Sequence, residues 1–174
     1  FFPRQRKIIL FMEARPQITL TLTPTDRLIN ILAWILFVAT WMLPLAMLPN
    51  LPDIIPSHFN GAGMVDGYSG KMSVLILPAV GTFVFFLLHL VGKYPDKLNY
   101  PVTITEQNAE KQYTSATRTL RTLKVSVTLL LLFIETEVIF PWVREHLGLW
   151  APGVGIFMLV APVSYQIFAS MRNK

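Results

Sequence analysis

Cysteine is absent from the 174 residues. No disulfide, thiolate-held metal or cysteine nucleophile can therefore figure in this protein's chemistry. Charge is scarce as well: Asp, Glu, Lys and Arg make up 14% of the chain, where a soluble domain carries roughly a quarter. Acidic residues are the scarcer sign, 10 against 15 basic ones. There is no Gly-x-Ser-x-Gly, no His-Glu-x-x-His and no phosphate-cradling glycine loop. No catalytic set is assembled, and nothing in the sequence calls for a cofactor. What remains is apolar, 53% of all residues, and the solvent that suits such a chain is the lipid bilayer.

Three runs, Leu28 to Leu48, Met72 to Gly92 and Leu147 to Ala169, lack Asp, Glu, Lys and Arg altogether. Each is long enough to cross a hydrocarbon core, which takes about 20 residues of helix. A fourth run, Leu120 to Phe140, carries Arg121 and Lys124 at one end and Glu135 and Glu137 near the other. It counts as a span because long basic side chains near a helix end snorkel to the interface. The expectation is an all-α membrane protein with four transmembrane helices. Residues 1–27 form a cytoplasmic segment. Residues 28–92 hold the first two helices and an ordered outer loop, 93–124 a cytoplasmic loop and helix, and 125–174 the last two helices with a short tail.

Basic residues gather before the first span, between the second and the third, and after the last; Lys71 and Arg144 are the exceptions. Cytoplasmic loops are the ones enriched in Lys and Arg, so both termini are expected inside a bacterial cytoplasmic (inner) membrane, crossed several times. Residues 51–71 and 141–149 then lie outside. The net charge of +5 is a product of this topology and calls for no nucleic acid. Arg118, Arg121 and Lys124 read as contacts to anionic headgroups. The first span reads as an uncleaved anchor, and Met12 as a start preceded by a leader, "FFPRQRKIILF".

Local signals refine the picture. "PQITLTLTPTD" alternates as a short strand or extended segment does, and Pro24 with Asp26 suits a helix start. Pro44, Pro49 and Pro52 are placed to break the first helix as it leaves the membrane. Pro78 with Gly81, and Pro162, are placed to kink the second and last. Thr103 and Glu106 have capping-box spacing, ahead of a helix running on through Lys124. Trp142 and Trp150 read as interfacial belt residues, and His89 as an interfacial residue.

The polar island between the first two spans is "LPDIIPSHFNGAGMVDGYSGK", residues 51–71. Asn60-Gly61 and Asp66-Gly67 are turn pairs and Gly63 is a further flexible point, so a compact hairpin is expected, with positive φ at Gly67. His58 and Asp66 admit three readings: hydrogen bonding within the loop, metal or proton binding with His146 as a third member, or contact with a peptide or lipid partner. Their spacing fits no zinc signature. Glu135 and Glu137 are costly in a bilayer and sit about 200° apart on a helix. Glu135 is expected inward, sharing an outer cluster with His58, Asn60, Asp66, Gly67 and Lys71, and Glu137 is left for the headgroups.

The island also resembles a known family, the domain of unknown function numbered 1648. Its signature is similar to Leu-Pro-x-x-Ile-Pro-x-His-Phe-Asn, a Gly, then Asp-Gly-aromatic and a basic residue. Leu51, Pro52, Ile55, Pro56, His58, Phe59, Asn60, Gly63, Asp66, Gly67, Tyr68 and Lys71 stand at those places. "NYPV" and "QNAEKQY" extend the resemblance, which runs from about Arg15 to Lys124. It implies a bacterial membrane protein related to SdpI-type immunity proteins, which protect a cell from its own secreted toxic peptide. The leading expectation is thus immunity or sensing through the outer loop. A membrane enzyme or transporter with an outward His and carboxylate site is one alternative. An accessory subunit packed on a larger membrane partner is the other.

Overall fold

The computed structural model describes residues 15–100, 102–147 and 150–172. The leader, Met12, Arg4, Arg6, Lys7, Pro101, Gly148, Leu149 and Lys174 lie outside the described residues. The chain is mostly helical. Its elements are α1 (Pro24–Met47), β1 (Ile54–Phe59), β2 (Val65–Gly70), α2 (Ile76–Val91), α3 (Ala109–Ile139), α4 (Pro141–Leu147) and α5 (Ala151–Arg172). Short 3-10 turns lie at Leu48–Asn50, Lys71–Leu75 and Pro95–Lys97.

The threonine-rich segment before α1 forms no strand; it runs unpaired into a capping box. Asp26 N–H donates to Thr23 Oγ1 at 3.2 Å, and Thr23 N–H donates to Asp26 Oδ2 at 3.1 Å. Pro24 occupies the first turn, where its missing N–H has no partner to lose. Pro44 does not end the helix, which continues to Met47 with Pro44 buried inside it. Pro78 likewise sits in the first turn of α2, preceded by a 3-10 turn, so it opens that helix. The predicted capping box at Thr103 and Glu106 is absent. Asn108 holds that turn instead, accepting from Thr105 N–H at 2.9 Å and donating to the Thr103 carbonyl at 2.9 Å, and α3 starts at Ala109.

Among the described residues, two stretches are long and apolar enough to cross a membrane, Pro24–Asn50 and Lys71–Val91. The bent pair α4 and α5 would add a third. α3 does not qualify by composition, because Lys124, Glu135 and Glu137 lie in its apolar half. It is instead the central helix, packed along α1, α2 and α5. That arrangement hides its polar side chains: Lys124, Ser126, Thr128, Glu135 and Glu137 are all buried. The surrounding helices turn apolar stripes outward, Leu28, Ile31, Ile35, Val38, Met42 and Leu45 on α1 and Ile76, Val80, Phe83, Leu87 and Leu90 on α2, all exposed. Their spacing of three and four residues makes one face per helix. A large apolar face turned outward is what lipid covers.

Close packing uses glycine where two helices cross. A Cβ on Gly81 would lie 2.7 Å from Leu131 Cδ1, and one on Gly155 would lie 3.0 Å from Leu130 Cδ1. Trp34, Phe37, Phe85 and Phe86 form an aromatic cluster between α1 and α2, and Trp41 Nε1 donates to Thr82 Oγ1 at 2.9 Å. Trp142 and Trp150 are exposed. The helix α3 is about 46 Å long at 1.5 Å per residue, longer than the roughly 30 Å of a bilayer core, and its N-terminal end packs against the segment after α2. There Tyr113 meets Tyr100 at 5.6 Å between ring centroids, and Tyr100 donates to the Pro95 carbonyl at 2.9 Å. Burial pushes the Tyr100 phenol up to about 12.

Candidate functional site

The island folds as a two-stranded antiparallel hairpin, β1 against β2, with a bulge around His58. Asn60 makes the turn. Its Oδ1 accepts from Ala62 N–H at 2.9 Å and Met64 N–H at 3.1 Å, while Gly63 N–H donates to the Asn60 carbonyl at 2.9 Å. Gly63, at φ 73°, is the positive-φ residue among those described. Gly67 is therefore not a turn residue, contrary to expectation. It sits within β2 opposite His58, and a Cβ there would lie 2.9 Å from His58 Cβ. Its lack of a side chain lets the bulged strands approach.

This assigns Gly67 a testable role. Gly67→Val is expected to splay the strands at a cost of about 1–3 kcal/mol, and Gly61→Ala, whose Cβ meets nothing within 4 Å, to stay within about 0.5 kcal/mol. Limited proteolysis of the hairpin in membranes reads the difference, since insertion rests on the flanking helices. Equal protease resistance in both variants would mean that the hairpin does not depend on this close approach.

The bulge brings His58 and Asp66 together. A carboxylate can only accept, so His58 Nδ1–H donates to Asp66 Oδ1. The pair is open to solvent, with 71% of the His58 side chain exposed. Lys71 closes the base of the hairpin: its Nζ lies 3.0 Å from Asp53 Oδ1 and its N–H donates to the Asp53 carbonyl at 2.9 Å. Beneath, Leu51, Ile55 and Val74 pack on Val138 and Ile139 at the C-terminal end of α3. Those apolar contacts hold the hairpin down as a roof, because the exposed ion pairs contribute little.

Under the roof lies a groove of about 630 Å³, bounded by β1, α2, α3 and α5. Its walls are mainly apolar, with His58 and Asn60 at the hairpin edge and Glu137 on α3. The side chain that reaches the groove is thus Glu137, which is 6% exposed and not turned toward headgroups. The carboxylate of Glu137 has a buried Oε1 with no hydrogen-bond partner among the described residues. Arg144 donates to the main-chain carbonyl of Glu137 at 3.3 Å, and its charge stands near the carboxylate without a hydrogen bond to it. Glu135 is 0% exposed, and neither of its carboxylate oxygens has a hydrogen-bond partner among the described residues. It does not bond to His58, which is held by Asp66. Both glutamates are inward because α3 is surrounded, so a separation of about 200° does not force one of them into lipid.

His146 bonds through Nδ1 to the Trp142 carbonyl at 2.6 Å, within α4. Among the described residues, no three His, Asp or Glu side chains are placed to hold a metal ion.

The opposite end of the bundle holds a cluster that sequence reading left unassembled. Asp26, 1% exposed, takes Arg118 by two bonds, Nε to Oδ1 at 2.7 Å and Nη2 to Oδ2 at 3.1 Å, and Arg121 Nη1 lies 3.5 Å from Oδ1. Arg118 is thus engaged inside the protein and not with headgroups. The signal was present in part, as an acidic residue at a helix start, but its partners lie more than ninety residues away along the chain.

Residues 35–82 match the sequence profile of a family described as Domain of unknown function (DUF1648). This stretch of the chain is similar to that family. The matched segment comprises the C-terminal half of α1, the whole hairpin and the first turns of α2, narrower than the extent from Arg15 to Lys124 expected from the motifs. An uncharacterized protein of Archaeoglobus fulgidus is 30% identical over 88 residues, covering 46% of this chain and 48% of that protein. The chain therefore spans about half the length of the curated relative it matches. No solved structure matches. The DUF1648 segment supplies the roof of the groove, while Glu137 and most of its floor come from α3 and α5, beyond the matched residues.

Proposed function

We propose that this protein spans the cytoplasmic membrane several times, α3 included, with both termini inside, and recognises a secreted hydrophobic peptide in the groove beneath the hairpin. The observation that carries this reading is the pairing of an apolar groove with one unpartnered carboxylate oxygen, on Glu137. Binding sites of this kind are mostly apolar, with a few polar groups that set orientation. An apolar segment bearing one cationic group would fill the groove and supply the missing partner. Sensing of such a peptide, or immunity to it, is the role this recognition would serve, with the N-terminal end of α3 available to report occupancy.

The test uses the full chain in lipid nanodiscs and a short leucine-rich peptide carrying a single lysine, beside its glutamine counterpart. Fluorescence anisotropy is expected to show about a tenfold preference for the lysine peptide, lost in Glu137→Gln. Ile134→Trp, which fills the groove, is expected to weaken both. Undiminished binding to Ile134→Trp would remove the groove from consideration. Cysteine placed at Ser57 and labelled from outside intact cells by an impermeant reagent checks the orientation independently.

A further inference from the structure

At the end of the bundle away from the hairpin, α1, α2 and α3 enclose a second pocket of about 160 Å³. Its polar lining is Asn30, His89, Lys93, Thr117, Arg121 and Lys124, and no carboxylate is among the lining residues. Lys124 is the decisive member. It is 3% exposed, yet its Nζ meets only Asn30 Oδ1 at 3.2 Å and the Phe85 ring at 5.0 Å from the centroid. Among the described residues neither Lys124 nor Lys93 has an ion-pair partner. The nearby acid, Asp26, is taken by the two-bond contact to Arg118 and touches Arg121 only at 3.5 Å. The pocket thus gathers Lys93, Arg121 and Lys124, and the one carboxylate beside them, Asp26, is shared between Arg121 and Arg118. Burying a cation without a counter-charge, as at Lys124, is costly, and a bound anion would remove that cost.

We propose that this pocket binds one phosphate-type oxyanion. Asn30 gives its carbonyl oxygen to Lys124, which leaves its amide N–H groups free to donate, and Arg121, whose Nη1 donates to Thr117 Oγ1 at 3.3 Å and faces Asp26, keeps its Nε and Nη2 N–H groups to meet phosphate oxygens. The volume corresponds to about five waters at roughly 30 Å³ each, room for a tetrahedral oxyanion with some solvent and not for a nucleotide. Two sources offer this chemistry, the headgroup of an anionic phospholipid and free phosphate. The pocket lies where α2 ends and α3 leaves the apolar zone, which is the depth of headgroups.

The experiment takes the full chain purified in a neutral detergent and titrates it with dioleoylphosphatidylglycerol, dioleoylphosphatidylcholine or inorganic phosphate. Retained ligand is read by native mass spectrometry, and affinity by the shift in thermal midpoint. Phosphatidylglycerol is expected to bind and phosphatidylcholine not, with affinity at least about tenfold weaker in Lys124→Met. Lys93→Gln, a conservative change at the pocket's edge, is expected to weaken it about threefold and carries the test should Lys124→Met fail to fold. Competition by inorganic phosphate would assign a soluble oxyanion as the source, and its failure to compete a lipid headgroup. Equal binding of both lipids, or undiminished phosphatidylglycerol binding in both variants, would overturn the proposal.

Discussion

Replacing Asp26 by alanine is expected to destabilise the protein by about 3–5 kcal/mol, because it strips the partner from a two-bond guanidinium contact and leaves charge uncompensated between α1 and α3. The carboxylate is 1% exposed and serves three contacts at once: the capping box with Thr23, the two bonds to Arg118 and the longer approach of Arg121. The capping contribution alone is about 1 kcal/mol. Arg118 keeps 28% of its side chain exposed, so part of its charge is recovered by water and the lower half of the range is expected. Denaturant unfolding in mixed micelles measures the effect, and Arg118→Met in the Asp26→Ala background should restore part of it by removing the stranded cation. A loss below about 1 kcal/mol, typical of exposed ion pairs, would show that this contact does not hold α1 to α3.

Replacing Glu135 by leucine is expected to do the opposite and raise stability by about 1–3 kcal/mol, the usual cost of leaving a buried polar group unsatisfied. Its side chain is fully buried, and neither carboxylate oxygen has a hydrogen-bond partner among the described residues. Leucine is of similar size and leaves no large cavity, whereas Glu135→Ala would add a cavity penalty and blur the sign. Residues kept against stability tend to serve function, so a stabilised Glu135→Leu that also loses peptide binding would tie this carboxylate to the groove. A destabilised variant would mean that the carboxylate is satisfied in the membrane and that its burial carries no strain.

The outcome for Glu137, inward where headgroups were expected, differs for an instructive reason. A helical wheel places Glu135 and Glu137 on nearly opposite faces, and with lipid on one side only one could be inward. The wheel assumes a helix at the edge of the bundle. Because α3 is central, packed by α1, α2 and α5, both faces are protein and both side chains are buried. Gly67 is similar: Asp-Gly is a turn signal, yet the turn is made by Asn60 and Gly63, and Gly67 is needed for the proximity of His58 across the bulge.

The amino-acid sequence by itself determined the mostly helical, apolar character of the chain, the two lipid-suited stretches around the island, and the island's folding back into a compact unit. Those are local properties: hydropathy summed over about 20 residues, and turn chemistry over five. It also contained the DUF1648 motif, since a motif is a matter of residue order. Only the tertiary structure decided that α3 is enclosed, that the hairpin roofs an apolar groove reached by Glu137, and that Asp26 holds Arg118 while Lys124 is left with Asn30 and an aromatic ring. Each of those depends on side chains brought together from positions distant along the chain. Periodicity reports which face of a helix is polar, and packing alone reports what that face meets.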